Sequence, residues 1–187
     1  GGGTTDWACA IYEAALDGVP FTCALAPDTA LPYAFMPDVL AGIQALMAAP
    51  ASALTRRTYS VSSFSTTPAE VAASIQKILP AFKIAYAPDF RDGIARQWPA
   101  SLDDAPARSD WGWAPAVAPD VAAMSAAMLE RVAARRVREA QAAVVATAAE
   151  VKAAAKSAGA GGNGSGRGGG TPRLAVAAAA APAGHVM

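Results

Sequence analysis

Few residues of this chain carry the side chains on which catalysis and metal binding usually depend. The 187 residues include one histidine, His185, and two cysteines, Cys9 and Cys23. A zinc site needs three or four such ligands, so the sequence predicts no resident metal. Two cysteines are also too few for a disulfide framework, and we interpret both as reduced thiols.

Three glycine-rich segments resemble loops that bind phosphate. Residues 159–164 (GAGGNG) and 164–169 (GSGRGG) match the dinucleotide pattern G-x-G-x-x-G. That pattern binds a pyrophosphate only between a strand and a helix, and here an alanine-rich helix precedes it and more glycine follows. We therefore interpret both segments as linker. The opening GGGTTD has no strand before it in this chain, and no Gly-Lys-Ser/Thr of a P-loop is present.

Charged clusters favour structural explanations. The neighbouring Asp103 and Asp104 are typical of a helix start, where carboxylates compensate the helix dipole. Four arginines on the last helix are expected to form a solvated face: Arg131, Arg135, Arg136 and Arg138.

Three tryptophans are the remaining candidates for a site. Trp111 and Trp113 are expected to pack in the core. Trp98 precedes a proline at a predicted helix end, where a loop can close over a pocket.

The charge balance excludes some partners. Lys+Arg and Asp+Glu number 15 each, so the formal net charge is zero. A nucleic-acid binder needs a basic face, and an anionic membrane attracts one, so neither partner is expected. The longest apolar run, residues 174–182, is shorter than the roughly 20 residues of a membrane span.

Periodicity predicts an α/β, or α+β, arrangement of short strands and helices. The predicted strands are 21–26, 33–36, 58–63 and 82–86. The predicted helices are one from Thr4 or Thr5 to Gly18, 37–49, 68–79, 89–97, one within 102–110, and a long one from about 119 to 157. Thr67, Pro68 and Glu70 match a capping box at the third helix. The domain prediction is a lobe over 1–132, an Ala/Arg-rich helical extension over 133–157 and a disordered low-complexity tail over 158–187.

The order of four segments resembles a known family. GGGTTDWA, YAFMPDVLAGIQALMAAP, RTYSVSSFSTTPAEVAASI and YAPDFRDGIARQWPASLDDAPARSDWGW are similar to the C-terminal half of short-chain-type L-threonine 3-dehydrogenases. These enzymes are extended short-chain dehydrogenases of the NAD-dependent epimerase/dehydratase superfamily. The resemblance runs from Gly1 to about Val132, and the segment from Pro88 to Trp113 is its most specific part.

The resemblance implies an enzyme of two parts. An N-terminal Rossmann domain binds NAD and carries a Tyr-x-x-x-Lys pair, and a smaller lobe binds L-threonine and closes over it. The tyrosine takes the hydroxyl proton while hydride leaves the same carbon, which gives 2-amino-3-oxobutanoate. Family members form homodimers, and eukaryotic members are mitochondrial, so we expect a mitochondrial or otherwise cytoplasmic protein.

The departures from the family pattern predict a fragment. None of the four tyrosines has a lysine four residues later, so no catalytic residue is expected here. The chain is expected to be the interior of an enzyme whose Rossmann domain is missing, inactive alone and unable to bind NAD.

Carried over by position, the substrate-binding residues are Gly3, Thr4, Thr5 and Trp98. Thr5 is the first choice for a hydrogen bond to threonine, with Thr4 second. Trp98 matches the tryptophan of the family's Ser-Trp-Pro segment, with Gln97 in place of the serine. Asp38 is expected to stabilise a helix or hinge.

Two alternatives stay open. The first is that the chain is the substrate lobe of another nucleotide-sugar epimerase or dehydratase. The second is that it is a non-catalytic interaction module.

Overall fold

The computed structural model describes residues 3–160, with side chains described through residue 154. The predicted tail from residue 161 onward, both glycine-pattern segments beyond Ala160, and His185 lie outside the described residues. The elements are α1 (Trp7–Asp17), β1 (Phe21–Cys23), β2 (Leu31–Tyr33), α2 (Met36–Ala48), β3 (Phe64–Thr66), α3 (Pro68–Ile78), β4 (Ile84–Tyr86), α4 (Phe90–Ala95), α5 (Ala105–Trp111) and α6 (Val121–Ala160). The fold is α/β with few short strands, as predicted.

The strands of the described residues form two separate pairs. β1 lies parallel to β4, with Phe21 opposite Ile84, and β2 lies antiparallel to β3, with Tyr33 opposite Phe64. The parallel pair requires a crossover, and α2, β3 and α3 lie between its two strands in sequence. The predicted strand at 58–63 is wrong, because the pairing begins only at Phe64.

The hydrophobic core lies between α1, α3, the strands and the first turns of α6. Its largest fully buried side chains include Tyr12, Ile11, Leu25 and Ile75. The Tyr12 hydroxyl is hydrogen-bonded to that of Ser125, which ties α1 to α6 inside the core. Burial raises the pKa of Tyr12 to about 12, so this tyrosine stays a neutral structural group.

Local chain chemistry explains where the helices begin and end. Gly18 ends α1 with a φ of 67°, a left-handed conformation that glycine adopts without strain. At α3, Thr67 accepts a hydrogen bond from the Glu70 amide while the Glu70 carboxylate accepts one from the Thr67 amide. The predicted capping box is confirmed.

Salt bridges join the first half of α6 to α1. Arg135 pairs with Glu13, and Arg136 pairs with both Glu13 at 3.0 Å and Asp17 at 2.6 Å. Hydrogen bonds from both guanidinium groups hold the pKa of Glu13 below its ordinary value. The Arg131 guanidinium lies 5.1 Å from the centre of the Phe35 ring. Three of the four arginines that we predicted as a solvated face thus have partners inside the chain.

The chain divides into two compact units, Gly1–Ala142 and Ala143–Met187. The described part of the second unit is the continuation of α6 to Ala160. The boundaries predicted at residues 132 and 157 stay a prediction.

Candidate functional site

A cavity of about 250 Å³ brings the start of α1, strand β2 and the turn after α4 together. Its wall is formed by residues from three separate parts of the sequence: Thr5, Leu31, Pro32, Tyr33, Trp98, Pro99 and Leu102. Thr5 and Trp98, which are 93 positions apart in sequence, therefore share one cavity. Neither Gly3 nor Thr4 is among the described residues that line it.

The segment before α1 places Thr5 at the cavity. The helix predicted to start at Thr4 or Thr5 begins instead at Trp7, with Asp6 at the N-cap position. The Asp6 carboxylate accepts a hydrogen bond from the Gly3 amide at 2.9 Å, which folds residues 3–6 into a turn. Within this turn the Thr5 carbonyl accepts a bond from the Ala8 amide, while the Thr5 side chain lines the cavity.

Trp98 lines the same cavity and lies just after α4. Asp89 begins this helix by accepting a hydrogen bond from the Arg91 amide, and the Trp98 amide donates to the Ala95 carbonyl at 3.0 Å. Trp98 is 43% exposed, whereas core residues such as Ile11 and Leu25 are fully buried. Pro99 follows at once and directs the chain away from the helix. The indole therefore lies at the cavity mouth and outside the hydrophobic core.

An ion-pair network connects the two walls. Arg96, two residues before Trp98, pairs with Asp92 at 2.8 Å and with Asp28 at 2.6 Å. Asp28 belongs to the loop that leads into β2, so the network fixes the tryptophan segment against the β2 wall. Asp92 also accepts hydrogen bonds from Thr29 and from the amide of Ala26. Burial opposes its charge, but these three donors outweigh burial and lower its pKa.

Tyr33 also lines the cavity, although the sequence did not identify it as a site residue. Its ring stacks on Phe64 at 6.3 Å and meets the edge of Trp7 at 6.2 Å between ring centres. Its hydroxyl oxygen is buried, and no hydrogen-bond partner lies within the described part of the chain. Burial raises the pKa of this phenol, so it is a neutral donor at physiological pH. The sequence gives no signal for this, because only the folded chain shows which tyrosine faces the cavity.

The other aromatic candidates lie elsewhere. Trp113 is 3% exposed, and its indole N–H donates to the Ser62 carbonyl at 3.1 Å and to the Asp104 carboxylate at 3.0 Å. The prediction that Trp113 packs in the core is confirmed. Trp111 is half-buried and meets the Tyr59 ring edge-on at 5.8 Å.

The acidic pair at α5 serves the helix start, as predicted. The Asp103 carboxylate accepts a hydrogen bond from the Ala105 amide at 3.0 Å. Asp104 pairs with Arg108 one turn later at 2.8 Å, and hydrogen bonds from that guanidinium lower the Asp104 pKa. Both carboxylates thus stabilise α5, and Asp104 also holds Trp113.

The described residues do not fit a nicotinamide dinucleotide. A pyrophosphate loop needs glycines with unusual backbone angles between a strand and a helix. Within residues 3–160 the glycines with positive φ are Gly18 and Gly112, and both end helices. In the same range no group of three or more histidine, cysteine, aspartate or glutamate side chains is placed to hold a metal. No helix of the described range has the length and apolarity needed to cross a membrane.

Comparison with known proteins finds two kinds of relatives that resemble a large part of this chain. An uncharacterized epimerase/dehydratase of Staphylococcus haemolyticus is 37% identical over 134 residues, which are 71% of this chain and 42% of the relative. A solved GalE-like L-threonine dehydrogenase of Cupriavidus necator matches with a TM-score of 0.66 and 46% identity, over 70% of this chain and 47% of the other. No family model matches. The chain is thus similar to a part of epimerase/dehydratase proteins.

Within that class, the higher identities are to threonine dehydrogenases. The mitochondrial L-threonine 3-dehydrogenase of Sus scrofa is 46% identical over 114 residues, which are 60% of this chain and 31% of the relative. The chain spans between about a third and a half of the length of the relatives it matches. It is therefore similar to a portion of an L-threonine 3-dehydrogenase.

Proposed function

We propose that this chain is the substrate-binding lobe of an NAD-dependent L-threonine 3-dehydrogenase, which oxidises L-threonine to 2-amino-3-oxobutanoate. The observation that carries the proposal is the shared cavity of Thr5 and Trp98 in a chain 46% identical to such enzymes. The lobe contributes substrate binding, and NAD and the reacting base belong to another part of the enzyme. Homodimer formation and a mitochondrial location are part of the same proposal.

The size and chemistry of the cavity favour an amino acid over a nucleotide sugar. A volume of about 250 Å³ is sufficient for threonine and small for a nucleoside diphosphate with its sugar. A diphosphate also needs arginine, lysine or a set of backbone amides, and none of the described lining residues is charged. A zwitterionic amino acid brings its own balanced charge and needs fewer ionic partners.

Three side chains have distinct roles in this proposal. The Thr5 hydroxyl hydrogen-bonds a polar group of the substrate, and Tyr33 contributes to the apolar wall around it. Trp98 covers the substrate and excludes water, which strengthens those hydrogen bonds. Gly3 and Thr4 were also predicted to bind substrate, but neither lines the cavity, so we assign the hydrogen bond to Thr5 and keep Thr4 as the alternative to test.

A chimaeric enzyme tests the proposal. Residues 3–132 of this chain would replace the matching segment of the Cupriavidus necator enzyme, and NADH formation would be followed with L-threonine. We expect turnover with threonine and none with a UDP-sugar. The opposite preference would support the epimerase alternative and overturn the proposal, and loss of both would favour a non-catalytic lobe.

Adjacent threonines supply a matched pair of variants in the chimaera. Thr5→Val removes a hydroxyl at the cavity, and a hydrogen bond to a charged group contributes about 1.5–3 kcal/mol, so KM should rise about ten- to hundredfold. Thr4→Val removes the same group one residue away and should change KM less than threefold. Equal effects of the two substitutions would contradict the assignment of Thr5.

A further inference from the structure

A second cavity, of about 270 Å³, lies beside the candidate site. Trp98 lines both cavities and is their common wall. The same two chain segments continue from one cavity to the other: residues 28–30 line the second cavity and residues 31–33 the first, and the segment after α4 contributes to both. We call the second cavity the outer site. A small molecule in the outer site is therefore separated from the candidate site by one side chain.

The outer site presents one positive and one negative side chain to a ligand. Arg96 and Asp28 both line it, and an ion pair of 2.6 Å joins them. Their side chains are 46% and 75% exposed, so this pair contributes little to stability and a ligand can replace it. Arg96 keeps its position when the pair opens, because the largely buried Asp92 carboxylate holds its Nε at 2.8 Å.

We infer that the outer site binds a free α-amino acid, and that the substrate of the proposed enzyme enters the candidate site from it. An α-amino acid carries a carboxylate and an ammonium group on the same carbon, and these match the Arg96 guanidinium and the Asp28 carboxylate. None of the described residues that line the candidate site is charged, so a zwitterion meets its ionic partners in the outer site. The choice of L-threonine rests on the proposed function, whereas the class of ligand rests on these two side chains.

The charge balance of the outer site selects against anions. Two carboxylates, those of Asp28 and Asp92, contact one guanidinium, that of Arg96, so the local balance is negative. A diphosphate is repelled by this balance, whereas a zwitterion leaves it unchanged. The Trp98 indole supplies apolar surface for the aliphatic part of a small amino acid. The outer site thus favours an amino acid over a nucleotide sugar, by a criterion independent of cavity size.

Three related ligands test the outer site on the 187-residue chain. L-threonine carries both charges, L-threoninol lacks the carboxylate, and 3-hydroxybutanoate lacks the ammonium group. Binding would be followed by the NMR signal of the Trp98 indole N–H, assigned by its loss in Trp98→Phe. We expect L-threonine to bind about three- to fivefold more tightly than either analogue, since each analogue loses one partly exposed ionic contact. An analogue that binds as tightly as L-threonine would overturn the inference, and so would a signal that L-threonine does not move.

Substitutions of the two charged residues separate ligand binding from support of the fold. Asp28→Asn should weaken the binding of L-threonine and L-threoninol and strengthen that of 3-hydroxybutanoate. Arg96→Gln should weaken the binding of L-threonine and 3-hydroxybutanoate and leave L-threoninol bound at least as tightly. A merely loosened segment would weaken all three ligands alike, and that result would overturn the inference.

Arg91→Gln is the matched control for these variants. Arg91 belongs to the same helix as the Arg96 segment and also forms an ion pair, with Asp89 at 2.7 Å. Neither residue of this pair is among the described residues that line the two cavities. We expect Arg91→Gln to change each dissociation constant less than twofold. An effect on L-threonine equal to that of Arg96→Gln would overturn the inference.

Turnover in the chimaera distinguishes the outer site from the proposed function. Asp28→Asn and Arg96→Gln should each raise KM for L-threonine about three- to fivefold and leave kcat within about twofold, because the outer site holds the substrate before it reaches Thr5. A fall in kcat with an unchanged KM would overturn the inference. An inactive chimaera, together with the expected ligand preferences in the 187-residue chain, would refute the proposed function and support the outer site. Threonine turnover without threonine binding at the outer site would do the reverse.

Discussion

Asp38 offers the sharpest test of how the lobe is held together. Its side chain is 3% exposed at the start of α2. Its carboxylate accepts hydrogen bonds from three consecutive backbone amides of the loop before α6, those of Ala116 at 2.9 Å, Val117 at 2.8 Å and Ala118 at 2.9 Å. Replacement of Asp38 by alanine should release this loop and destabilise the fold.

The hydrogen bonds set the expected size of the effect. A hydrogen bond to a charged group contributes about 1.5–3 kcal/mol, and an amide left unpaired in the interior costs a similar amount. The Ala118 bond is buried, whereas water can replace the other two in part. We therefore expect Asp38→Ala to lower the free energy of unfolding by about 3–5 kcal/mol, a large part of the 5–15 kcal/mol typical of a domain.

Asparagine gives an intermediate case. One carboxylate oxygen of Asp38 serves both Ala116 and Val117, and the other serves Ala118. An asparagine can keep the first oxygen and places an NH₂ group against the Ala118 amide. We therefore expect Asp38→Asn to lower the free energy of unfolding by about 2 kcal/mol.

Urea unfolding followed by circular dichroism measures these losses, with Asp120→Ala as the matched control. Asp120 accepts a hydrogen bond from the Ala123 amide at 2.8 Å on the protein surface, so its loss should cost only about 1 kcal/mol. A value for Asp38→Ala within 1 kcal/mol of the wild type, or equal to that of Asp120→Ala, would refute the reasoning.

Three further predictions concern other parts of the lobe. Gly42→Ala should lower the free energy of unfolding by about 1–3 kcal/mol, because the added Cβ would lie 2.5 Å from the Trp113 ring; an unchanged urea midpoint would contradict this. Thr67→Ala should cost about 1 kcal/mol by loss of the capping box, measured as a lower Tm, and Thr67→Ser should restore the wild-type Tm. Glu13 has a lowered pKa in the folded chain, so its contribution to the free energy of unfolding is present above its unfolded pKa and is lost as the pH falls through the folded pKa. Glu13→Gln should remove this pH dependence of stability, measured by urea unfolding at several pH values. A pH profile identical to that of the wild type would contradict the prediction.

Elements defined by local chemistry were predictable from the sequence. The capping box at Thr67 and the glycine at Gly18 depend on residues within one or two turns, and both are observed where expected. The strand predicted at 58–63 failed because pairing depends on a partner strand elsewhere in the chain. β2 pairs with Phe64 onward, and no local pattern in TYSVSS carries that information.

Periodicity on α2 identified residues on a common face but not what covers that face. Ile43 and Met47 have helical spacing, yet they are exposed, while the charged Asp38 is buried. The burial of Asp38 depends on amides 78–80 positions away, which no local rule can anticipate.

The candidate site was predictable only in part from the residues. The position of Trp98 before a proline indicates a pocket residue, whereas Thr5 follows only from the resemblance, and the cavity that the two share is visible only in the fold. Tyr33 was missed because an unpaired hydroxyl is a property of its surroundings.

The parallel pairing of β1 with β4 has a consequence for how the lobe is made. During synthesis β1 emerges before its partner, which follows only after α2, β3 and α3. The closure of so long a loop adds little to the entropic cost of folding, since that cost grows only logarithmically with loop length. It does slow folding. Until Ile84 to Tyr86 leave the ribosome, β1 is an edge without a partner on the nascent chain. The lobe should therefore depend on chaperones during translation more than a protein whose strands pair with their neighbours in sequence.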